Sequence, residues 1–174
     1  MVKFGIISDT HITIHDDKAI VRLLLDQLKK VFREVDEIIH AGDVCDQFFF
    51  DELNKIAPTR AVKGNLDTIK NLKDFIKISA GIYNIGVIHE LPENLEALIK
   101  QNNLHILIFG HSHQPNIKGT SYNALLLNPG SPTRPKAPPR IKGFKEPVAR
   151  PTVLTLEIND TNNIVSTFII NLSQ

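Results

Sequence analysis

Phe4-Gly5-Ile6-Ile7-Ser8-Asp9-Thr10-His11 is a short apolar run that stops abruptly at polar residues. Such a run, with no polar alternation, predicts a strand buried on both faces. The pattern recurs along the chain, each time releasing Asp, Asn or His. Glu37-Ile38-Ile39-His40-Ala41-Gly42 leads to Asp43, and Ala61-Val62-Lys63-Gly64 leads to Asn65. Ile85-Gly86-Val87-Ile88 leads to His89, and Ile106-Leu107-Ile108-Phe109-Gly110 leads to His111-Ser112-His113.

Helical periodicity fills the gaps between these runs. Ile20, Leu24, Leu28, Val31 and Val35 recur at spacings of three and four behind a cap at Asp16 or Asp17. Gln47 to Ile56 reads as a second helix ended by Pro58, and Pro92 suits the first turn of a third, striped by Leu95, Leu98 and Ile99. Phe75–Ser79 and Ile82–Ile88 read as strands about an Ala-Gly turn, and Ala124–Leu127, Val153–Ile158 and Ile164–Ile170 as later strands. Strands alternating with helices, then strands alone, predict an α/β layered sheet fold. The length of 174 residues argues for one domain, 1–174. Its one biased segment, 128–151, holds seven of the ten prolines and six basic residues against one acid.

Composition narrows the chemistry. A formal charge of +1 gives no global drive toward nucleic acid or an acidic membrane. One Cys excludes an internal disulfide and four-thiolate metal ligation. No secretory leader or membrane-length apolar run is legible, so the expected compartment is the cytoplasm, with no membrane partner. In open α/β sheets, ligands bind outside the carboxyl ends of the strands, so the residues released there are expected to converge. Imidazole with carboxylate suits Mn, Fe, Zn, Co or Ni better than Ca or Mg. Seven candidates exceed one tetrahedral ion with an open position, and two ions sharing a carboxylate fit better. Such a pair binds a phosphate and sharpens a hydroxide, so phosphate ester hydrolysis is the implied chemistry.

Asp9-x-His11, Gly42-Asp43-x-x-Asp46, Gly64-Asn65-x-Asp67, His89 and Gly110-His111-x-His113 follow in order the motif series of the calcineurin-like metallophosphoesterases, which the chain resembles from Phe4 to about Ser131. The early first motif and Asn128-Pro129-Gly130-Ser131 resemble the small YfcE-like phosphodiesterase branch. The resemblance implies a four-layer α/β/β/α sandwich. It implies two divalent transition-metal ions, manganese foremost, with Ni, Fe, Zn or Co as alternatives. One ion would be held by Asp9, His11, Asp43 and His113, and the other by Asp43, Asn65, His89 and His111. Asp43 would bridge and hold the nucleophilic hydroxide, and Asn65 would also reach the substrate phosphate.

Two positions depart from the family pattern. Leu66 stands where many members carry a His that protonates the leaving group, a loss of typically 10²–10⁴-fold. Glu90 follows His89 where His-Gly is usual. His40 is expected either to orient Asp43 from behind or simply to pack. Asp46 is expected to cap a helix and Asp67 to be structural. Cys45 is expected to pack, and His15 and His105 to be ordinary. Phe48-Phe49-Phe50 cannot all face one core, so a homodimer contact through this patch is one expectation and packing the other. Arg134 and its basic neighbours are expected to wall the substrate entrance. The implied function is a phosphodiesterase acting on a small phosphate ester. A phosphomonoesterase or nucleotidase, and a silent scaffold like the retromer subunit of vacuolar sorting, are the alternatives. Nucleic acid enters only as a substrate.

Overall fold

The computed structural model describes residues 1–173. In chain order its elements are β1 (Val2–Ile7), α1 (Lys18–Val31), β2 (Glu37–His40), α2 (Gln47–Asn54), β3 (Thr59–Ala61), β4 (Phe75–Ala80), β5 (Tyr83–Ile88), α3 (Leu95–Asn102), β6 (Ile106–Ile108), β7 (Pro115–Gly119), β8 (Leu125–Pro129), β9 (Thr152–Asn159) and β10 (Ile164–Asn171). They form two five-stranded sheets, ordered β10-β9-β1-β2-β3 and β4-β5-β6-β8-β7.

The layering follows from which face each side chain takes. Alternate residues of a strand point to opposite faces. Ile6, Ile39 and Leu154 of the first sheet therefore meet Ile85, Val87, Ile108 and Leu127 of the second in an inner core. Ile7, Ile38 and Val153 face outward onto Leu28 of α1 and Phe49 and Leu53 of α2. Leu107 and Leu126 face outward onto Ile99 of α3. The result is the expected α/β/β/α sandwich, with both sheets mixed. β1 is central and buried on both faces, as its continuous apolar run demands.

Several boundaries differ from the sequence reading. α1 buries Val21, Leu24, Leu25 and Leu28, whereas Ile20 is 67% exposed and Val35 lies beyond the helix end. Asp17 caps the helix through the amide of Ala19, and in that phase the stripe facing the sheet begins at 21. Pro92 precedes α3 rather than entering its first turn, because Asn94 is the cap and accepts from the Ala97 amide. β7 was not predicted: it carries one large apolar residue, Ile117, on an exposed edge. Asn128 and Pro129 still pair with Asn116 and Pro115, so the irregular Pro-rich segment begins at Gly130 and runs to Pro151. Phe49 is fully buried, Phe50 partly, and Phe48 is exposed, which settles how three consecutive aromatics divide. Among the described residues, no helix is long and apolar enough to cross a membrane.

β1, β2 and β3 run parallel, as do β5, β6 and β8. The exits of β1 and β2 lie side by side, with the Asp9 amide donating to the Gly42 carbonyl at 3.0 Å and the His11 amide to the Asp43 carbonyl at 3.0 Å. The two sheets are joined at the same edge by the His111 amide, which donates to the Asp9 carboxylate at 3.0 Å.

Candidate metal centre

Five of the seven candidate ligands lie in the left-handed region: Asp9 (φ 52°), His11 (48°), Asp43 (57°), His111 (64°) and His113 (59°). A residue with a β-carbon held there costs on the order of 1–3 kcal/mol, and such strain clusters at functional sites. The glycines beside the ligands answer a second demand, close approach. A Cβ on Gly42 (φ 91°) would lie 2.5 Å from His89 Nδ1, and one on Gly64 would lie 2.3 Å from Asp43 Oδ1.

These constraints draw five side chains together. His113 Nε2 lies 3.1 Å from His11 Nε2 and 3.4 Å from Asp9 Oδ1. Asp43 Oδ2 lies 3.8 Å from His11 Nε2 and 3.6 Å from His89 Nε2. Asp43 Oδ1 accepts from the Leu66 amide at 2.8 Å, which leaves Oδ2 facing the two rings. Two triads emerge, Asp9–His11–His113 and Asp9–Asp43–His89, with the ligand atoms of each within 4.8 Å of one another.

The rings are aimed from behind. The Ala41 carbonyl sits 2.8 Å from His89 Nδ1 and the Arg134 carbonyl 2.7 Å from His113 Nδ1. A carbonyl can only accept, so each Nδ1 is the donor and each Nε2 is turned toward the cluster. Among the described residues His89 Nε2 is buried with no hydrogen-bond partner, a costly state that a bound metal ion would relieve. Burial lowers the His11 pKa to about 4, so the ring is neutral and its lone pair available. Burial also raises the pKa of Asp9, against the opposing hydrogen bond from Ser8. Imidazole nitrogens, one of them orphaned, and a buried carboxylate pair form a donor set that fits divalent cations.

His111 and Asn65 are not in this cluster. The His111 ring stands edge-on to His89 with centroids 5.3 Å apart, but it is exposed and its Nε2 lies 3.5 Å from Glu90 Oε1. Asn65 is exposed on the turn after Gly64. Asp9, assigned in sequence to one ion only, belongs to both triads. Arg134 is exposed at the rim, where its charge contributes to lowering the His11 pKa.

The surrounding residues divide clearly. Asp46 caps α2 through the Phe48 amide. Asp67 accepts from the amides of Asp43 (3.0 Å), Cys45 (2.7 Å) and Gly64 (2.7 Å), fastening the second motif to the third. His40 is fully buried with its pKa lowered to about 3 by desolvation, and it contacts Thr10 Oγ1 at 3.1 Å rather than the Asp43 carboxylate. Cys45 Sγ lies 3.7 Å from His11 Nδ1, and burial pushes its thiol pKa up to about 11. Sequence reasoning missed Ser131 and Thr133. Their hydroxyls donate to the Asp9 and Thr10 carbonyls at 2.7 Å and pin the Pro-rich segment to the first motif. The signal was Asn128-Pro129-Gly130-Ser131 directly after a strand.

Residues 2–160 match the calcineurin-like phosphoesterase superfamily domain. The chain belongs to that superfamily. It is accordingly a metal-dependent phosphoesterase by family. This calcineurin-like domain is 37% identical over 142 residues to a probable metallophosphoesterase of Methanocaldococcus jannaschii, covering 77% of this chain and 70% of that one. A probable metallophosphoesterase of Methanothermobacter thermautotrophicus is 35% identical over 142 residues, covering 76% and 78%. Among solved structures, the calcineurin-like domain is similar to the zinc complex of Vps29 from Entamoeba histolytica, at a TM-score of 0.71 and 26% identity over 98% of this chain and 99% of that one. An archaeal phosphodiesterase shares the fold at a TM-score of 0.64 and 23% identity, over 97% and 100%.

Proposed function

We propose that the chain is a dinuclear-metal phosphodiesterase. The observation that carries the reading is the place of Asp43 Oδ2, within 4 Å of imidazole nitrogens from two different strand exits, His11 and His89. One carboxylate oxygen so placed suits two adjacent cations. Asp9, His11, Asp43 and His113 would hold one ion. Asp43 and His89 would hold the other, with His111 turned in from Glu90 and Asn65 from its turn. Two divalent ions, when bound, supply Lewis-acid activation of water and neutralise phosphate charge. Manganese is the ion we favour, with Ni, Fe, Zn or Co acceptable to the same nitrogen and oxygen donors.

The protein's own residues then do three things. The carbonyls of Ala41 and Arg134 fix the ring tautomers. The Leu66 amide holds Asp43 in one orientation. The Arg134 guanidinium stands at the rim as an anion-attracting charge. Two pockets, of about 330 and 410 Å³, both border His11 and Arg134. A diester carries two organic groups, and two pockets flank His11 of the cluster. This supports a diester over a monoester, in a reaction expected in the cytoplasm.

The test is turnover of a bis-aryl phosphate and an aryl phosphate by protein loaded in turn with manganese, nickel and zinc. The reading expects the diester to be the better substrate by kcat/KM. A better monoester overturns the diester preference. Two ions bound with neither ester hydrolysed would favour a metal-binding scaffold, a reading that draws on the Glu90 contact holding His111 away from the cluster.

A further inference from the structure

The pocket of about 410 Å³ beside the cluster is walled by His11, Cys45, Leu66, Arg134, Ile14 and His15. It opens directly off a metal-binding face, so an ester group departing from phosphorus there needs a proton unless it is a stable anion. The side chains in it can be taken in turn as donors. His11 is neutral and its Nε2 belongs to the cluster. The Cys45 thiol, held high in pKa by burial, faces the back of the His11 ring. An Arg guanidinium does not release its proton in proteins. The Thr13 hydroxyl is committed to Asp16 Oδ2 at 2.8 Å and the Thr68 hydroxyl to the Cys45 carbonyl at 2.9 Å. Asp46 is an acceptor, engaged by the amides of Phe48 and Ile14. Leu66 and Ile14, 55% and 62% exposed, offer apolar surface alone.

His15 is what remains. Its amide donates to Thr13 Oγ1 at 3.3 Å, and Thr13 is itself tied to Asp16 by amide and hydroxyl, so the loop that carries the ring is knotted in place. Among the described residues, no hydrogen bond joins the imidazole to the protein, so both nitrogens are free to serve a ligand. The charged and titratable groups around it are Asp16, Asp46, Arg134, His11 and Cys45.

We propose that His15 is the general acid for the leaving group, in a pocket whose apolar wall of Leu66 and Ile14 receives that group's organic part. The inference rests on the phosphoesterase reading above. Water oxygen bonds to phosphorus while the ester P–O bond breaks. The electron pair of that bond stays on the departing oxygen, which takes the imidazolium proton and leaves as an alcohol. The water's surplus proton passes to solvent, and the neutral His15 ring regains a proton from solvent.

The experiment uses manganese-loaded protein and a diester series that shares one half while the leaving group runs from p-nitrophenyl to simple alkyl. A nitrophenolate leaves without help, whereas an alkoxide does not. His15→Ala should therefore slow the alkyl ester by about 10²–10⁴-fold, and the nitrophenyl ester by at least ten times less. The dependence of rate on leaving-group acidity should steepen. Adding Leu66→His to His15→Ala should recover at least ten-fold on the alkyl ester by restoring an imidazole across the same pocket. Equal losses on both esters, or no loss on either, overturn the assignment. Wild-type protein with no turnover of even the nitrophenyl ester would instead sink the phosphoesterase reading on which the assignment rests.

Discussion

Asp67→Ala removes one carboxylate that three backbone amides share. Oδ2 accepts from the amides of Asp43 and Gly64, and Oδ1 accepts from Cys45. A hydrogen bond to a charged group contributes about 1.5–3 kcal/mol when well buried. Asp67 is only half-buried and the three bonds act as a unit, so each is worth nearer the lower end. The expected loss is about 3–4 kcal/mol, read as a shift in the urea midpoint at constant slope. Asp67→Asn is the informative partner. Its amide oxygen can keep the two bonds of Oδ2, but its NH₂ then faces the Cys45 amide donor, so it should lose about half as much. The metal-binding consequence runs in the same order, because the Asp43 amide moves with the ligand. Losses below about 1 kcal/mol for the alanine variant, or an asparagine variant worse than alanine, would refute the view that this carboxylate fastens the two motifs.

Three further outcomes are expected. In metal-free protein, the buried His11 and His40 rings have folded pKa values of about 4 and 3, below the value near 6.5 of an unfolded imidazole. The unfolded state therefore binds more protons between these values, and stability falls as pH drops from 6.5 toward 4. Asp9, raised in pKa, opposes this in part, so the urea midpoint at pH 5 should lie measurably below that at pH 7, and an equal or higher midpoint would contradict it. Phe49→Ala, at a fully buried site, should cost about 3–5 kcal/mol, whereas Phe48→Ala on the exposed face should cost under about 0.5, both by denaturant titration. Arg134→Gln should raise KM for a diester and weaken the salt dependence of kcat/KM, because the charge at the rim is lost while the carbonyl that aims His113 remains.

Most of the fold was legible because its central strands are buried on both faces and say so in continuous apolar runs. The elements misread were those whose position is decided by something other than pattern. α1 is phased by the Asp17 cap, α3 by Asn94, and β7 is an exposed edge with one apolar residue. The five clustered side chains were legible for a topological reason: each follows a strand whose carboxyl end meets the same edge. His111 and Asn65 share that position in sequence, yet their side chains lie outside the cluster. No motif reports that Glu90 competes for the His111 ring, or that Asn65, on an exposed turn, has among the described residues no hydrogen bond to hold it inward. Ser131 and Thr133 act through backbone carbonyls 122 and 123 residues away, a kind of contact no local spacing encodes. His15 left no trace in the pattern, because its significance lies in which other side chains share its pocket.

The claim on which the account depends most is that one carboxylate, Asp43, joins two cations. Manganese titration by calorimetry, followed by electron paramagnetic resonance at two equivalents, addresses it directly. The account predicts two ions per chain with an exchange-coupled spectrum in the wild-type protein, and loss of the coupling in Asp43→Asn. A single ion per chain, or two ions whose spectra are uncoupled and insensitive to Asp43→Asn, would contradict it.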